Sequence, residues 1–536
     1  MGTEDDKKEG GDDLERSSWG SQLDFFMSCV GYAVGLGNIW RFPYLCYKNG
    51  GGAFLIPYVL MLILCGLPLF FLELAFGQFA SIGPITIWRI SPFFRGIGFG
   101  MVLISLMVCL YYNVIITYGL YYLFVSLTSM DDPLPWSACN NAWNTKYCIT
   151  ERADMSNMTD AEKVNTTLQY FNHTCVDSWL SESNLDTSLL TYNMTQTNLS
   201  HCDESSLYKL PSDEYYTRNV LRLHEAEDFG DLGGISLKLI VLLGLSWIIL
   251  FLCLLKGVET DAIVVAFINC ATSIFAGFVI FSMLGYMAHA TNQAVANVTE
   301  DVDRFGYEHR DRRKARSRVS RRSLRLESET STATPCGKQF AMFETVISAI
   351  VDEFPNFLRR RRTVFGLLCH LVGFLLGIPM TTKGGIWVLT LLNDYSASYS
   401  LMVVCLCELI AINYVYGNKR FCLDIKMMLG FEPNIYWRAT WMVITPLSIL
   451  VMIVMSGVQY APAGLGDYKF EPWVQGVGFA IAALPVGCIL VGFLVQFIRY
   501  KSIREATRPD PKWGPAKEEY RTGRYAAVNL AFVGDN

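Results

Sequence analysis

An all-α, polytopic helical membrane protein is the fold class this sequence predicts, and three observations predict it. Of its 536 residues, 52% are hydrophobic and only 17% are charged, with a mean hydropathy of +0.28. Several apolar runs reach the ~20 residues that a helix needs to cross a bilayer. Polar stretches punctuated by Gly, Pro and clustered arginines separate those runs, as loops between spans do. The same composition argues against other classes. A formal net charge of −5 offers nucleic acid no basic footprint. No Ser/His/Asp set, metal-ligand spacing or phosphate loop occurs, and the six His are scattered, so no enzyme and no resident cofactor is expected.

Residues 1–20 are acidic, polar and Gly/Ser-rich, the composition of a disordered tail with no cleavable signal peptide visible. The first span, about 24–47, is interrupted where a helix should be most regular. Gly31, Gly35 and Gly37 fall within seven residues, followed by Asn38, Arg41 and Pro43. Each glycine costs about 1 kcal/mol against Ala in a helix interior. Hydrocarbon cannot satisfy the backbone that such a break frees, so a break at membrane depth belongs where it lines a polar hollow. Freed carbonyls then hold a cation and freed N–H groups a carboxylate. A small-residue packing face remains open for the glycines, although Asn38 and Arg41 are expensive as packing residues.

These residues also carry a resemblance. GYAVGLGNIWRFPYLCYKNGGGAFLIPY resembles the first membrane segment of the neurotransmitter:sodium symporters, and within that family is most similar to the sodium- and chloride-dependent glycine transporters. The resemblance implies a leucine-transporter-like inverted-repeat bundle, here partial. It implies co-transported Na+ and Cl−, with no cofactor, and a small amino acid, with glycine favoured, as solute. Backbone at Ala33, Gly35 and Gly37 would face the solute. Carbonyls of Gly31 and Val34 would serve one sodium, and the Ala33 carbonyl with the Asn38 side chain the other. Amine carriers of the family have an aspartate at the position of Gly35, so its absence here implies a solute that brings its own carboxylate.

A second span, about 53–77, ends at the Ser81, Gly83 and Pro84 breakers, and a third runs about 97–128. By resemblance Tyr58 is a chloride ligand and Tyr112 meets the solute carboxylate. From pattern alone Tyr111 and Tyr112 read equally as interfacial aromatics. Residues 129–232 form a polar loop with sequons at Asn157, Asn165, Asn172, Asn193 and Asn198, which argue for a glycosylated extracellular segment. Similarity to the family's loop implies a Cys139–Cys148 disulfide and leaves Cys175 and Cys202 either free or paired.

A fourth span, about 236–255, ends at Lys256. Beyond Thr260 the resemblance jumps from the family's fourth helix to its seventh, so the fifth and sixth are missing. In the next segment Asn269 and Ser273 share one helix face. They read either as interhelical hydrogen-bonding residues, worth about 0.6 kcal/mol each, or, by resemblance, as ion ligands. Asn269 would then serve sodium and chloride, and Ser273 chloride. A densely basic run, 304–325, interrupts the pattern, and the start of the eighth helix is missing before a remnant at about 340–351. The run reads as a solvated tract, an anionic-lipid or calmodulin site, or a retention signal. Later spans are expected at about 364–380, 396–416, 436–456 and 472–497. Asn393 and Asp394 lie where the family has the acid that gates against the arginine after the first span, here Arg41.

The expected organisation is therefore a cytoplasmic tail (1–20), spans one to three (21–128), the glycosylated loop (129–232), spans resembling helices four and seven (233–290), the basic loop (291–338), the remnant of helix eight with helices nine to twelve (339–497), and a cytoplasmic tail (498–536). The reading is a plasma-membrane symporter, with a homo-oligomer left open. A non-transporting isoform that competes with a full-length carrier is the alternative.

Overall fold

The structure, a computed structural model, describes residues 51–129, 134–145, 148, 211–255, 339–460, 462–465, 468–515, 520–521 and 525. Among these residues the chain is helical apart from one two-residue ribbon, β1 (Gly464–Leu465) against β2 (Tyr468–Lys469). Six described helices are long and apolar enough to cross a membrane. In chain order the elements are α1 (Leu55–Ala80), α2 (Arg95–Thr128), α3 (Leu237–Leu255), α4 (339–353), α5 (Arg362–Gly377), α6 (Gly385–Tyr395), α7 (Ser398–Gly417), α8 (Asn418–Leu429), α9 (Ile435–Val458) and α10 (Pro472–Tyr500).

Most expected spans fall where the apolar runs put them. The one expected at 396–416 differs. Helix begins at Gly385, pauses around Ser396–Ala397, and continues through α7 into α8. Lys383 and the two glycines after it mark the start of α6 as a turn, and the Asn393–Asp394 pair marks its end, but burial holds the stretch between them as helix. Trp387, Leu389, Leu391 and Tyr395 all pack into the core. Gly430, at φ 81, stops α8 with its N–H on the Lys426 carbonyl at 2.8 Å. Asn434 then caps α9 by accepting from the Tyr436 and Trp437 N–H groups.

Contacts sort the helix ends onto two faces. On one face Arg95 pairs with Glu353, and the Asp510 N–H donates to the Arg89 carbonyl at 2.8 Å. There the segment after α10 folds back. Trp513 packs on Phe76 and Phe79, while the Tyr416 and Tyr525 hydroxyls donate to Asp424 at 2.6 and 2.8 Å. On the opposite face the Ser236 N–H meets the Thr381 carbonyl, Lys383 pairs with Glu225, and Tyr468 stacks on Trp387.

Inside the apolar layer, backbone left over by irregular helix is satisfied by side chains. Pro68 has no N–H for the Leu64 carbonyl, and Thr445 Oγ1 donates to that oxygen at 2.7 Å. Tyr436 donates to Ile63 O at 2.6 Å and Trp441 Nε1 to Pro68 O at 2.8 Å, which ties α9 to α1. Elsewhere α10 crosses α2 at glycines. A Cβ placed on Gly492 would lie 2.5 Å from Gly96 Cα.

Candidate functional site

The polar groups that the bundle buries mark its working parts. On the inner face of α2, Asn113 (1% exposed) donates from Nδ2 to Ser246 Oγ of α3 at 2.9 Å. Thr117 donates to the Asn113 carbonyl at 2.9 Å and lies 3.3 Å from the same serine hydroxyl. One turn away, Gln339 of α4 donates to the Cys109 carbonyl at 2.9 Å. In hydrocarbon these groups have few alternative partners, so they fix the rotation of α2 against α3 and α4. That rotation sets the direction of the neighbouring residue, Tyr112, whose hydroxyl is shielded from solvent.

Where α6 and α9 end and α10 begins, on the face that carries the ribbon, lies a second polar group. Asn393 donates to Asp394 Oδ1 at 2.9 Å. The next residue, Tyr395, donates to Gln475, which also accepts from Tyr460 at 3.1 Å and donates to the Ala463 carbonyl at 2.8 Å. Asp394, Tyr395, Ser398, Tyr399 and Tyr460 border a cavity of about 430 Å³ beside the ribbon.

Of the residues the sequence singled out, Tyr58, Tyr112, Asn393, Asp394, Cys139 and Cys148 are described. Tyr58 sits in the first turns of α1 and is 42% exposed. Cys139 and Cys148 form the expected disulfide, with Cα atoms 5.6 Å apart. Buried Glu214 holds that loop by accepting from the Thr145 N–H at 2.8 Å and from Asn144 at 3.1 Å. Gly31, Ala33, Val34, Gly35, Gly37, Asn38, Arg41, Asn269 and Ser273 lie outside the described residues. So do the sequons at Asn157, Asn165, Asn172, Asn193 and Asn198, Cys175, Cys202 and the basic run 304–325.

Among the features that the sequence reading missed is an acid inside the bundle. Glu408 of α7 is 1% exposed, and its Oε2 has no hydrogen-bond partner among the described residues. It interacts electrostatically with Glu73 of α1. An acid inside a spanning segment is a functional signal by default. Single acids within the apolar runs LFFLELAF and VCLCELIA were legible as that signal.

Spanning helices with buried polar strips and an acid between them make the described residues those of a polytopic helical membrane protein. The sodium:neurotransmitter symporter family profile matches residues 16–175, 164–261 and 259–500. Glycine transporter 1 of Xenopus laevis, described as sodium- and chloride-dependent, is 34% identical over 608 aligned positions that cover 97% of this chain and 91% of the relative. Glycine transporter 2 of the same species is 33% identical, covering 98% of this chain and 75% of its own length. A human neutral and basic amino acid transporter, B(0+), is 32% identical over 96% of this chain and 92% of that relative. The chain belongs to the sodium:neurotransmitter symporter family, whose members are secondary transporters and not enzymes. An alignment of 608 positions exceeds the 536 residues of the chain, so the relative carries segments that this chain lacks. The profile matches meet at 259–261, where the resemblance jumps.

Proposed function

We propose that the chain is a sodium- and chloride-coupled symporter of glycine or another small amino acid, placed in the plasma membrane with both termini cytoplasmic. One observation carries the solute class: Gly35, in the glycine-rich first segment, leaves no acid to pair with a substrate amine, so the solute's own carboxylate has to complete the sodium shell. The names of the relatives support glycine. In this reading Gly31, Val34, Ala33, Asn38 and Asn269 supply oxygens to sodium, and Tyr112 donates its hydroxyl to the solute carboxylate. Tyr58, Asn269 and Ser273 hold chloride, which a neutral serine requires to balance the sodium charge. Because the carboxylate and a sodium ion share one shell, solute binding is coupled to the gradient. Each charge moved is worth about 2.3 kcal/mol per 100 mV. Arg41 and Asp394, with Asn393 beside it, close the outer side.

Orientation follows from charge. The face bearing Arg89, Arg95, Arg359 to Arg362, Lys419, Arg420, Lys501 and Arg504 is richer in cations than the face bearing the Cys139–Cys148 loop, and the richer face is assigned to the cytoplasm. Uptake of radiolabelled glycine into vesicles containing this chain, with sodium and chloride replaced in turn, tests the function. Accumulation that disappears on either replacement supports it. Uptake that ignores both ions, or no uptake of any small amino acid, overturns it.

A further inference from the structure

The segment that folds back after α10 has no part in the transport reading, yet it is pinned to the bundle at successive points. Ser91 Oγ donates to the Thr507 carbonyl at 3.3 Å, and the Asp510 N–H donates to the Arg89 carbonyl at 2.8 Å. Trp513 (4% exposed) then sits 5.8 Å from both Phe76 and Phe79 at the end of α1, and its Nε1 donates to the Tyr416 hydroxyl at 3.3 Å. Tyr525 (6% exposed) follows, with its ring 5.9 Å from Phe79. Its hydroxyl donates to Asp424 Oδ1 at 2.8 Å and stands 3.1 Å from the Tyr416 hydroxyl. Asp424 is itself buried (1% exposed), and its other oxygen accepts from Tyr416 at 2.6 Å. Gly514, at φ 154, lets the ring lie against the backbone, because a Cβ there would come 3.0 Å from Tyr525 Cδ1. The segment thereby joins the end of α1 to the elbow at Gly417 (φ 107), where α7 turns into α8.

We propose that Tyr525 is a phosphorylation site, and that esterifying its hydroxyl releases the segment from α1 and α8. A protein tyrosine kinase would transfer the γ-phosphoryl group of ATP to the phenolic oxygen. The O–H bond and the bond from the γ-phosphorus to the β–γ bridging oxygen break, a phosphate ester forms, and ADP and the proton leave. The product cannot re-enter the site. A donor is replaced by a charge of about −1.5 to −2 beside a buried carboxylate. Asp424 loses a charge-assisted hydrogen bond and gains a like-charged neighbour in surroundings that screen poorly. With Phe79 and Gly514 against the ring, the phosphate can leave Asp424 only if the ring withdraws. A kinase gains the hydroxyl when the segment opens locally, and the nearby Tyr520 (57% exposed) shows that the chain beside it reaches the surface. Release would uncouple the end of α1 from the α7–α8 elbow. The inference takes from the proposed function only the orientation, which puts this face on the side that holds ATP.

The test uses the purified full chain in detergent, where both faces are open, so the readout depends neither on orientation nor on transport. The kinase is a recombinant catalytic domain chosen because it phosphorylates a peptide of residues 516–530 at Tyr525. Phosphate is mapped by mass spectrometry. Release is read as the rate of Lys-C cleavage after Lys512, which is exposed beside buried Trp513. Phosphate at Tyr525 should speed that cleavage by about tenfold, as expected for losing one hydrogen bond to a charged group. Y520F should respond as the wild type does. Y525F, which keeps the ring, should give no response to the kinase, and D424N, which removes the opposing charge, should give a smaller one. Tyr525 left unmodified in the folded chain, phosphate there without faster cleavage, or an equal response in Y525F would each overturn the proposal. A chain that shows this response yet takes up no glycine would keep the latch and lose the transport function.

Discussion

Substituting Gly492 by alanine tests the packing that holds the bundle, and its sign can be worked from the structure. The new Cβ would lie 2.5 Å from Gly96 Cα and 2.7 Å from Gly96 N. Both neighbours are backbone of α2 and cannot swing away, so the helices must separate by about 1 Å to reach ordinary contact near 3.5–4 Å. Overpacking of this kind costs about 1–3 kcal/mol. Separation also disturbs the neighbouring stack of Phe93 on Phe493, whose rings are 4.6 Å apart and within 7° of parallel. Such pairs contribute about 0.5–1.5 kcal/mol. Against these losses, Gly→Ala in a helix returns about 1 kcal/mol, leaving a net destabilisation of about 0.5–3.5 kcal/mol. A Cβ added to Gly487 on the same helix would meet nothing within 4 Å, so Gly487→Ala keeps the helical gain without the clash. Thermal unfolding in detergent, followed by the loss of the monodisperse size-exclusion peak, should place Gly492→Ala below wild type and Gly487→Ala at or above it. Equal midpoints for the two variants would refute the idea that α2 and α10 cross at backbone contact.

Three further outcomes are expected. Replacing Cys139 and Cys148 together by serine should cost about 2.6 kcal/mol on the chain-entropy account of a loop this short, given their separation of nine residues; limited proteolysis of the 134–148 segment should accelerate accordingly. The Glu225–Lys383 contact should respond to acid, because the hydrogen bond from Lys383 holds the Glu225 carboxyl below its ordinary 4.5. That stabilisation is complete above 4.5 and is lost as pH falls through the depressed value. His224, held down first by burial and then by Arg218, adds a loss that begins as pH drops below its ordinary 6.5. Hydrogen exchange across 223–236, corrected for the intrinsic pH dependence of the amide rate, should rise in these two stages, and Glu225→Gln should remove the lower stage while deepening the upper one, because Glu225 favours the charged form of His224. Gly35→Asp should abolish glycine uptake by setting an anion beside the solute carboxylate, and unchanged uptake would remove this residue from the pocket.

Much of the fold was legible because bilayer crossing is a local property of the sequence. Runs such as LLGLSWIILFLCLL leave no alternative to a buried or lipid-facing helix. Helix α6 was hidden because its apolar stretch, from Ile386 to Leu392, is too short to read as a span and is bounded by Gly384–Gly385 and Asn393–Asp394, while the forces that make it helical come from Trp387 and Tyr395 packing on distant elements. The site was legible in a different way. The Cys139–Cys148 pair was readable through a family likeness, and the disulfide is present, whereas Gly35, read in the same way, lies outside the described residues. Glu408 needed only the rule that an acid inside a span is expensive. The Asp424 cluster with Tyr416, Tyr525 and Trp513 was not legible, since it joins segments about a hundred residues apart that carry no signature of one another.

The proposed coupling requires one sodium ion and one amino acid to share a coordination shell in the interrupted first span. Binding of radioactive sodium to the purified chain, with and without glycine, probes that shell without requiring a complete transport cycle. If the shell is shared, glycine raises sodium affinity and sodium raises glycine affinity by the same factor, as linkage demands. Sodium binding unaffected by saturating glycine would contradict it.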